Sequence, residues 1–187
     1  VDAEAVPVTG FALRVDDELE LVLREAWTVA PLHELIVANL EHLRPWEPWA
    51  RGEQTVDDLS AFTRRALGEW IEGRSLPTAL RFRGRLVGGV GAQLNSWFGT
   101  AEVGYWIDAG HQGRGFVTRA VGVLVQHLFQ DRGIARVEIR TAVGNQRSRA
   151  VAERLGFEPE GVLRSAQPAL QGRHDVCVYG RTTPPGV

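Results

Sequence analysis

The stretch Glu102-Val103-Gly104-Tyr105-Trp106-Ile107-Asp108-Ala109-Gly110-His111-Gln112-Gly113-Arg114-Gly115-Phe116-Val117-Thr118 decides how this chain is read. Its first half is strand-like, and its second half carries three glycines, which permit backbone angles and close ligand approach that a Cβ blocks. Beyond it, Val117, Val121, Leu124, Leu128 and Phe129 form one helical stripe. The spacing predicts a helix over 116–130 whose apolar face is anchored in a core while its first turn points free N–H groups at the glycine loop. That arrangement favours an anion. No Asp or Glu occurs from Ala109 to Gln130, whereas Arg114 and Arg119 stand beside the loop, so charge and helix dipole act together for a phosphate. A nucleoside-triphosphate loop would need Gly-Lys-Ser/Thr at its end, and a dinucleotide fingerprint would need a glycine where Thr118 stands. The expected ligand is a pyrophosphate of another kind; taken alone, the loop is equally a tight turn at a helix start.

Upstream, Gly10–Val15 and Leu19–Leu23 alternate around Asp16-Asp17-Glu18 as a hairpin does. Leu32, Leu35, Ile36, Leu40 and Leu43 predict one amphipathic helix between Pro31 and Leu43, and a second runs from Thr55 to a stop at Gly73. Between them lies Arg44-Pro45-Trp46-Glu47-Pro48-Trp49, whose prolines hold two large aromatics as either a pocket wall or a plug over the core. Strands are predicted at Pro77–Arg83, Arg85–Leu94 and Ala101–Asp108. After the 116–130 helix come a strand (Arg136–Val143), a helix (Gln146–Leu155) and two strands (Phe157–Arg164 and Asp175–Gly180). The class is α/β of the α+β type, with helices around one sheet. At 187 residues one domain over 1–187 is expected, with 182–187 as a frayed tail.

Composition narrows the function. A net charge of −2 leaves no basic footprint for nucleic acid, and no apolar run reaches the ~20 residues of a membrane span. Val1–Gly10 is acidic and has no secretory pattern, so the cytoplasm is the expected compartment. All 21 basic residues are arginine, which grips phosphate or carboxylate bidentately; a compositional bias of the genome accounts for the same fact. Cys177, the only cysteine, stands between two valines and reads as a buried strand thiol. The five histidines show no metal-ligand spacing, and no Gly-x-Ser-x-Gly elbow occurs, so neither a metal nor an acyl-enzyme is expected.

Gln112-Gly113-Arg114-Gly115-Phe116-Val117 resembles the Gln/Arg-x-x-Gly-x-Gly/Ala motif that GNAT acetyltransferases wrap around the pyrophosphate of CoA, with Val117 departing at the last position. Glu102–Asp108 resembles the strand on which that family lays the pantetheine arm. Asn145-Gln146-Arg147-Ser148 resembles its Asn-x-x-Ser, and Leu155-Gly156-Phe157 its helix end. The Leu43–Trp49 loop and Gly161-Val162-Leu163-Arg164 are similar to the RimJ/RimL branch of ribosomal-protein N-terminal acetyltransferases, and the likeness covers about Glu20 to Gly180. The resemblance implies a mixed, mostly antiparallel sheet with a splayed central strand pair. It implies acetyl-CoA as co-substrate, held by Trp106, Ile107, Gln112, Gly113, Arg114, Gly115, Phe116, Val117, Thr118, Asn145 and Ser148. Succinyl-CoA is the other donor an arginine-rich pocket would take.

Transfer to an amine needs a proton acceptor, an oxyanion donor and a way for the thiolate to leave. The resemblance implies backbone N–H groups such as that of Ile107 for the oxyanion. Glu102 is the candidate base, if partial burial raises its pKa; its alternative is a surface charge paired with an arginine. Glu47, Asp175 and His174 are reserves. Ser148 is the candidate for the leaving thiolate, with Tyr105 assigned to the pantetheine strand; helix capping is the alternative role for Ser148 and Asn145. Trp46, Glu47 and Trp49 are the expected acceptor wall. The expected reaction is direct transfer to a protein or peptide α-amine; a small-molecule amine, or an acyl-CoA-binding module without turnover, are the other readings. Exposed tryptophans such as Trp97 and Trp49 would mark a homodimer face or a substrate lid.

Overall fold

The computed structural model describes residues 10–183. Eight strands form one sheet in the order β1-β2-β3-β4-β5-β6-β8-β7. They are β1 (Ala12–Arg14), β2 (Leu19–Leu23), β3 (Ser75–Phe82), β4 (Arg85–Asn95), β5 (Thr100–Ile107), β6 (Arg136–Ala142), β7 (Glu158–Pro168) and β8 (Arg173–Thr182). Every neighbouring pair is antiparallel except β5 and β6, which are parallel and joined through a helix. The helices are α1 (Ala26–Ala38), α2 (Leu40–Leu43), α3 (Val56–Ile71), α4 (Phe116–Gln130) and α5 (Gln146–Arg154). This is the mixed, mostly antiparallel architecture that the motifs imply.

Strand alternation sends successive side chains to opposite faces. Leu19 and Leu21 of β2, Leu76 and Leu80 of β3 and Val103 of β5 meet Phe116, Ala120, Val121, Leu124 and Leu128 of α4 in the larger core. Val22 and Ala79 meet Leu32 of α1 on the other face, with Trp27 and Trp106 packed against them. With both faces covered, β3 is buried along its whole length. Cys177 is buried in β8, as expected for a structural thiol.

The predicted 31–43 helix is displaced. Observed α1 begins at Ala26, with Pro31 inside it, because burial of Thr28, Val29, Leu32 and Ile36 on one face outweighs the hydrogen bond that the proline removes. It ends at Asn39 rather than running on. The Asn39 side chain donates to Leu35 O (2.9 Å) and Asp108 Oδ1 (2.8 Å) and accepts from the Ala109 N–H (2.8 Å), so the helix breaks to reach the β5–α4 loop. The hairpin β7–β8 is longer than its sequence pattern, passing through Ser165 at φ 49° with the Ser165 N–H held by Asp175 Oδ1 at 2.7 Å. Of the expected frayed tail, Thr182 ends β8 and Thr183 bonds Ile134 O at 3.1 Å; 184–187 lie outside the described residues. No helix among the described residues is long and apolar enough to cross a membrane.

Two glycines let β4 lie close against β5. A Cβ on Gly88 would strike the backbone oxygen of Trp106, and one on Gly89 would come within 2.7 Å of the Trp106 indole nitrogen. Gly89→Ala is expected to destabilise the chain by about 1–3 kcal/mol through overpacking. Gly52→Ala, in open space at φ −71°, should change stability by no more than about 0.5 kcal/mol. Urea unfolding of the two variants against the parent measures both.

Candidate active site

The parallel ladder between β5 and β6 lasts for Thr100–Arg136, Ala101–Val137 and Glu102–Glu138, and then stops. Beyond it β5 stays paired with β4 as far as Ile107, and β6 with β8 as far as Ala142. The two central strands therefore splay, and backbone groups from Val103 onward face a cleft of about 1210 Å³. Ile107 lies on this wall, where an N–H for an oxyanion is needed.

At one end the cleft meets the glycine loop. Gly113 and Gly115 take the left-handed conformation at φ 73° and 72°, and Gly115 is the N-cap of α4, whose first turn holds no acid. The amides of this turn have no side-chain cap. Gln112 is tied from both sides: Arg147 of α5 donates to its Oε1, and its Nε2 lies 2.6 Å from His42 Nε2. Burial lowers the His42 pKa, and the Arg147 charge lowers it further. Asp108 anchors the preceding turn through His111 Nδ1 (2.6 Å) and Asn39. Burial works to raise its pKa, yet the hydrogen bonds from His111 and Asn39 prevail and hold it below the usual carboxylate range. Gly113, Gly115, Phe116, Val117 and Thr118 all border the cleft, and Val117 also packs on the core, so its side chain fits beside the motif position it replaces.

The arginines divide differently from the sequence expectation. Arg114 lies over the Phe82 and Phe116 rings (4.9 and 4.6 Å) and its side chain does not line the cleft; Arg119 lines it but is paired with Asp16. Arg147 and Arg154 of α5, and Arg140 of β6, supply the further positive charge. Only folding brings them to the cleft, where Arg147 reaches the glycine loop through Gln112.

The other end is walled by the loop after α2. Trp46 and Glu47 line it, and Trp46 stacks on His174 at 5.8 Å. The hairpin β7–β8 clasps this loop from outside: Gln167 Nε2 donates to Trp46 O (2.6 Å), His174 Nε2 meets Pro45 O (3.0 Å), and Arg51 donates to Pro168 O. Trp49 props Glu47 from behind, its indole N–H reaching Oε2 at 2.8 Å, with its ring 6.1 Å from Trp106. The loop is thus a pocket wall rather than a plug over the core, with Trp46 and Glu47 forming its surface.

Asn145 caps α5 by accepting from the Ser148 N–H at 3.2 Å, which is its structural role. Ser148 Oγ lies 3.1 Å from the Tyr105 hydroxyl, and that hydroxyl also donates to Ser148 O at 3.0 Å. Burial pushes the Tyr105 pKa up to about 12, so the phenol stays protonated near neutral pH. Sequence reasoning left Tyr105 on the pantetheine strand and overlooked this link. Glu102 borders the cleft with its side chain 51% exposed, 3.5 Å from Arg140. Asp175 and His174 serve the hairpin and do not line the cleft, and Tyr179 is buried, donating to Glu153 at 3.0 Å. Among the described residues no group of three His, Cys, Asp or Glu is placed to hold a metal ion. Asn39, His42, Arg147 and Gln167 also escaped sequence reasoning; Asn39 alone carried a signal, as a polar residue inside an apolar helical stripe.

The acetyltransferase (GNAT) domain model matches residues 20–158. The chain is 30% identical over 174 residues to YdaF of Bacillus subtilis (strain 168), whose name carries a provisional ribosomal N-acetyltransferase assignment; the match covers 90% of this chain and 93% of that protein. The solved structure of RimL, a ribosomal L7/L12 α-N-protein acetyltransferase in complex with coenzyme A, is similar with a TM-score of 0.89 at 25% identity, over 92% of this chain and 98% of that one. MccE, a microcin C7 self-immunity acetyltransferase in complex with acetyl-CoA and AMP, is similar with a TM-score of 0.87 at 27% identity, over 97% and 100%. The splayed sheet, the glycine loop at a helix start and these matches agree: the chain belongs to the GNAT family and is an acetyltransferase.

Proposed function

We propose that the chain is a single acyl-CoA N-acyltransferase domain that moves the acetyl group of acetyl-CoA directly to a primary amine, with a protein or peptide α-amine as acceptor. The observation that carries this reading is the splay of β5 from β6, which opens onto the uncapped first turn of α4. In it, the amides of residues 113–118 and Arg147 hold the pyrophosphate, the β5 edge at Trp106 and Ile107 takes the pantetheine, and Asn145 keeps the start of α5 in place. The Ile107 N–H polarises the thioester oxygen. The amine attacks the carbonyl carbon, the C–N bond forms, and the C–S bond breaks from a tetrahedral intermediate. Glu102 accepts the proton lost by the amine, through water, since its side chain reaches solvent. Ser148, whose hydroxyl rests against the protonated Tyr105, turns its O–H to the departing sulfur, which needs little help because a thiol of pKa ~8.5 leaves readily as its thiolate.

A protein acceptor is favoured by the likeness to RimL, whose name gives ribosomal L7/L12 and its α-amine as substrate, and to YdaF, whose provisional name is that of a ribosomal N-acetyltransferase. The second reading, a small-molecule amine, draws on MccE, which acts in microcin self-immunity. Succinyl-CoA stays in this reading as the rival donor. A second copy of this chain is the partner assigned to Trp97 and Phe98, which stand 88% and 72% exposed on the β4–β5 turn. Trp97→Ser should shift the sedimentation coefficient from dimer to monomer.

Calorimetric titration with acetyl-CoA, succinyl-CoA and ADP is expected to give one site per chain. Acetyl-CoA should bind tightest, and ADP binding should weaken as salt rises. No heat with any CoA species would overturn the assignment. Glu102→Gln is expected to lower kcat by about 10²-fold or more with acetyl-CoA affinity unchanged. Ser148→Ala should lower kcat less, by about 10-fold, since thiolate departure needs only a hydrogen bond. Thiol release in the steady state checks both. An undiminished rate in Glu102→Gln would remove its role and leave the donor site standing.

A further inference from the structure

We propose that Glu47 is the receptor for the acceptor's charged amino group, so that the enzyme selects amines that enter the cleft as ammonium ions. The inference rests on the transferase reading above and assigns the feature of the acceptor that the site recognises.

Two carboxylates border the cleft among the described residues, Glu47 and Glu102, against four arginines. Glu102 has Arg140 at 3.5 Å, whereas no ion pair among the described residues includes Glu47. Glu47 Oε2 takes the Trp49 indole N–H, and its other oxygen has no protein donor. A half-buried carboxylate with one neutral hydrogen bond is under-compensated, and it is most stable when a cation completes it. Arg147 is turned to Gln112, Arg119 to Asp16 and Arg140 to Glu138 and Glu102, and none of the four pairs with Glu47.

The surroundings fit a fixed receptor rather than a loose surface charge. Two contacts from the hairpin β7–β8 hold the backbone just before Glu47, Gln167 to Trp46 O and His174 to Pro45 O, and the Arg51 side chain beyond it reaches Pro168 O. Trp49 fixes the carboxylate itself. Such a group is pre-organised, so an ammonium bound there pays little to order it. Burial also pushes the Glu47 pKa up, against the pull of the Trp49 N–H, which is the signature of a carboxylate lacking its cation. Glu47 lines the same cleft as Tyr105, the partner of Ser148. An amine held by Glu47 lies in the same cleft as the groups that act on the thioester; the ammonium gives one proton to water before attack, which frees its lone pair, Glu102 takes the second through water as the C–N bond forms, and one of the two ends on the departing sulfur.

The roles of the two carboxylates separate in kinetics. With a short peptide bearing a free N-terminal serine, Glu47→Gln should raise the peptide KM by about 10- to 100-fold, the loss of a charge-assisted hydrogen bond, while kcat and the acetyl-CoA KM change little. Calorimetry on protein loaded with unreactive CoA gives the direct readout. The parent should prefer the free-amine peptide over its desamino analogue by a similar factor, and Glu47→Gln should bind the two alike. Trp49→Phe, which removes the indole N–H and keeps a smaller aromatic ring, should erode the same preference partly and serves if Glu47→Gln loses acetyl-CoA binding and hence its fold. Should spermidine be turned over in place of the peptide, the same variants are measured on spermidine against a neutral alcohol analogue. An unchanged acceptor KM and retained preference in Glu47→Gln would overturn the receptor alone. A parent that acetylates no peptide, polyamine or aminoglycoside would overturn the transferase reading, and the receptor with it.

Discussion

Everything in this molecule turns on a hydrogen-bond ladder that stops early. β5 and β6 pair for three residues and then part, and each is kept in the sheet only by its outer neighbour. The separation strips backbone groups of protein partners in the middle of a sheet, where burial without a partner is costly. An extended ligand that offers amides and carbonyls of its own can complete them. The long antiparallel pairings outside the gap, β3–β4–β5 on one side and β6–β8–β7 on the other, hold the two halves apart, and α4 crosses between them with its start at the mouth.

Charge is divided along the cleft in the same way as structure. The glycine-loop end combines a helix terminus, bare amides and Arg147 of α5, and its two carboxylates, Asp16 and Asp108, are paired and do not line the cleft. The opposite end is aromatic and acidic, and the loop forming it is held by side chains from the last hairpin. Between them the Tyr105–Ser148 pair joins β5 to α5 across the gap, so the strand and the helix that border the reaction centre are fixed relative to each other by hydroxyl chemistry. Polar groups this close act as a unit.

The parts of this arrangement that were legible in sequence are those set by local rules. Helix α4 begins and ends where its apolar stripe does, and Thr55 caps α3 as its position before Asp57-Asp58 suggests. The glycine loop could be recognised because a bare-amide turn needs those residues in that order. What failed was long-range. Helix α1 breaks at Asn39 in favour of bonds to Asp108 and Ala109, 69 and 70 residues away, which no periodicity announces. Arg114, beside the loop in sequence, stacks on two phenylalanines, while Arg147 and Arg154 arrive from another helix. Glu102, read either as a partly buried base or as a surface charge paired with an arginine, is half exposed beside Arg140, because the alternation of β5 places it opposite the core residues Ala101 and Val103.

The clasp between the last hairpin and the tryptophan loop has a consequence for how the chain comes into being. Its contacts join Trp46 to Gln167 and Pro45 to His174, across 121 and 129 residues, whereas the glycine loop and α5 are complete by about residue 155. Closing so long a loop costs entropy before any contact repays it, so such pairings form late. During synthesis the glycine loop and α4 emerge before the strands that hold the cleft's walls, since β6 is kept in the sheet by β8 and the tryptophan loop is held by Gln167 and His174. A nascent chain ending before β8 would carry the glycine loop yet lack the strand that secures β6 and the histidine that holds Pro45. Competence to choose an acceptor is thus acquired last, as a property of the finished chain.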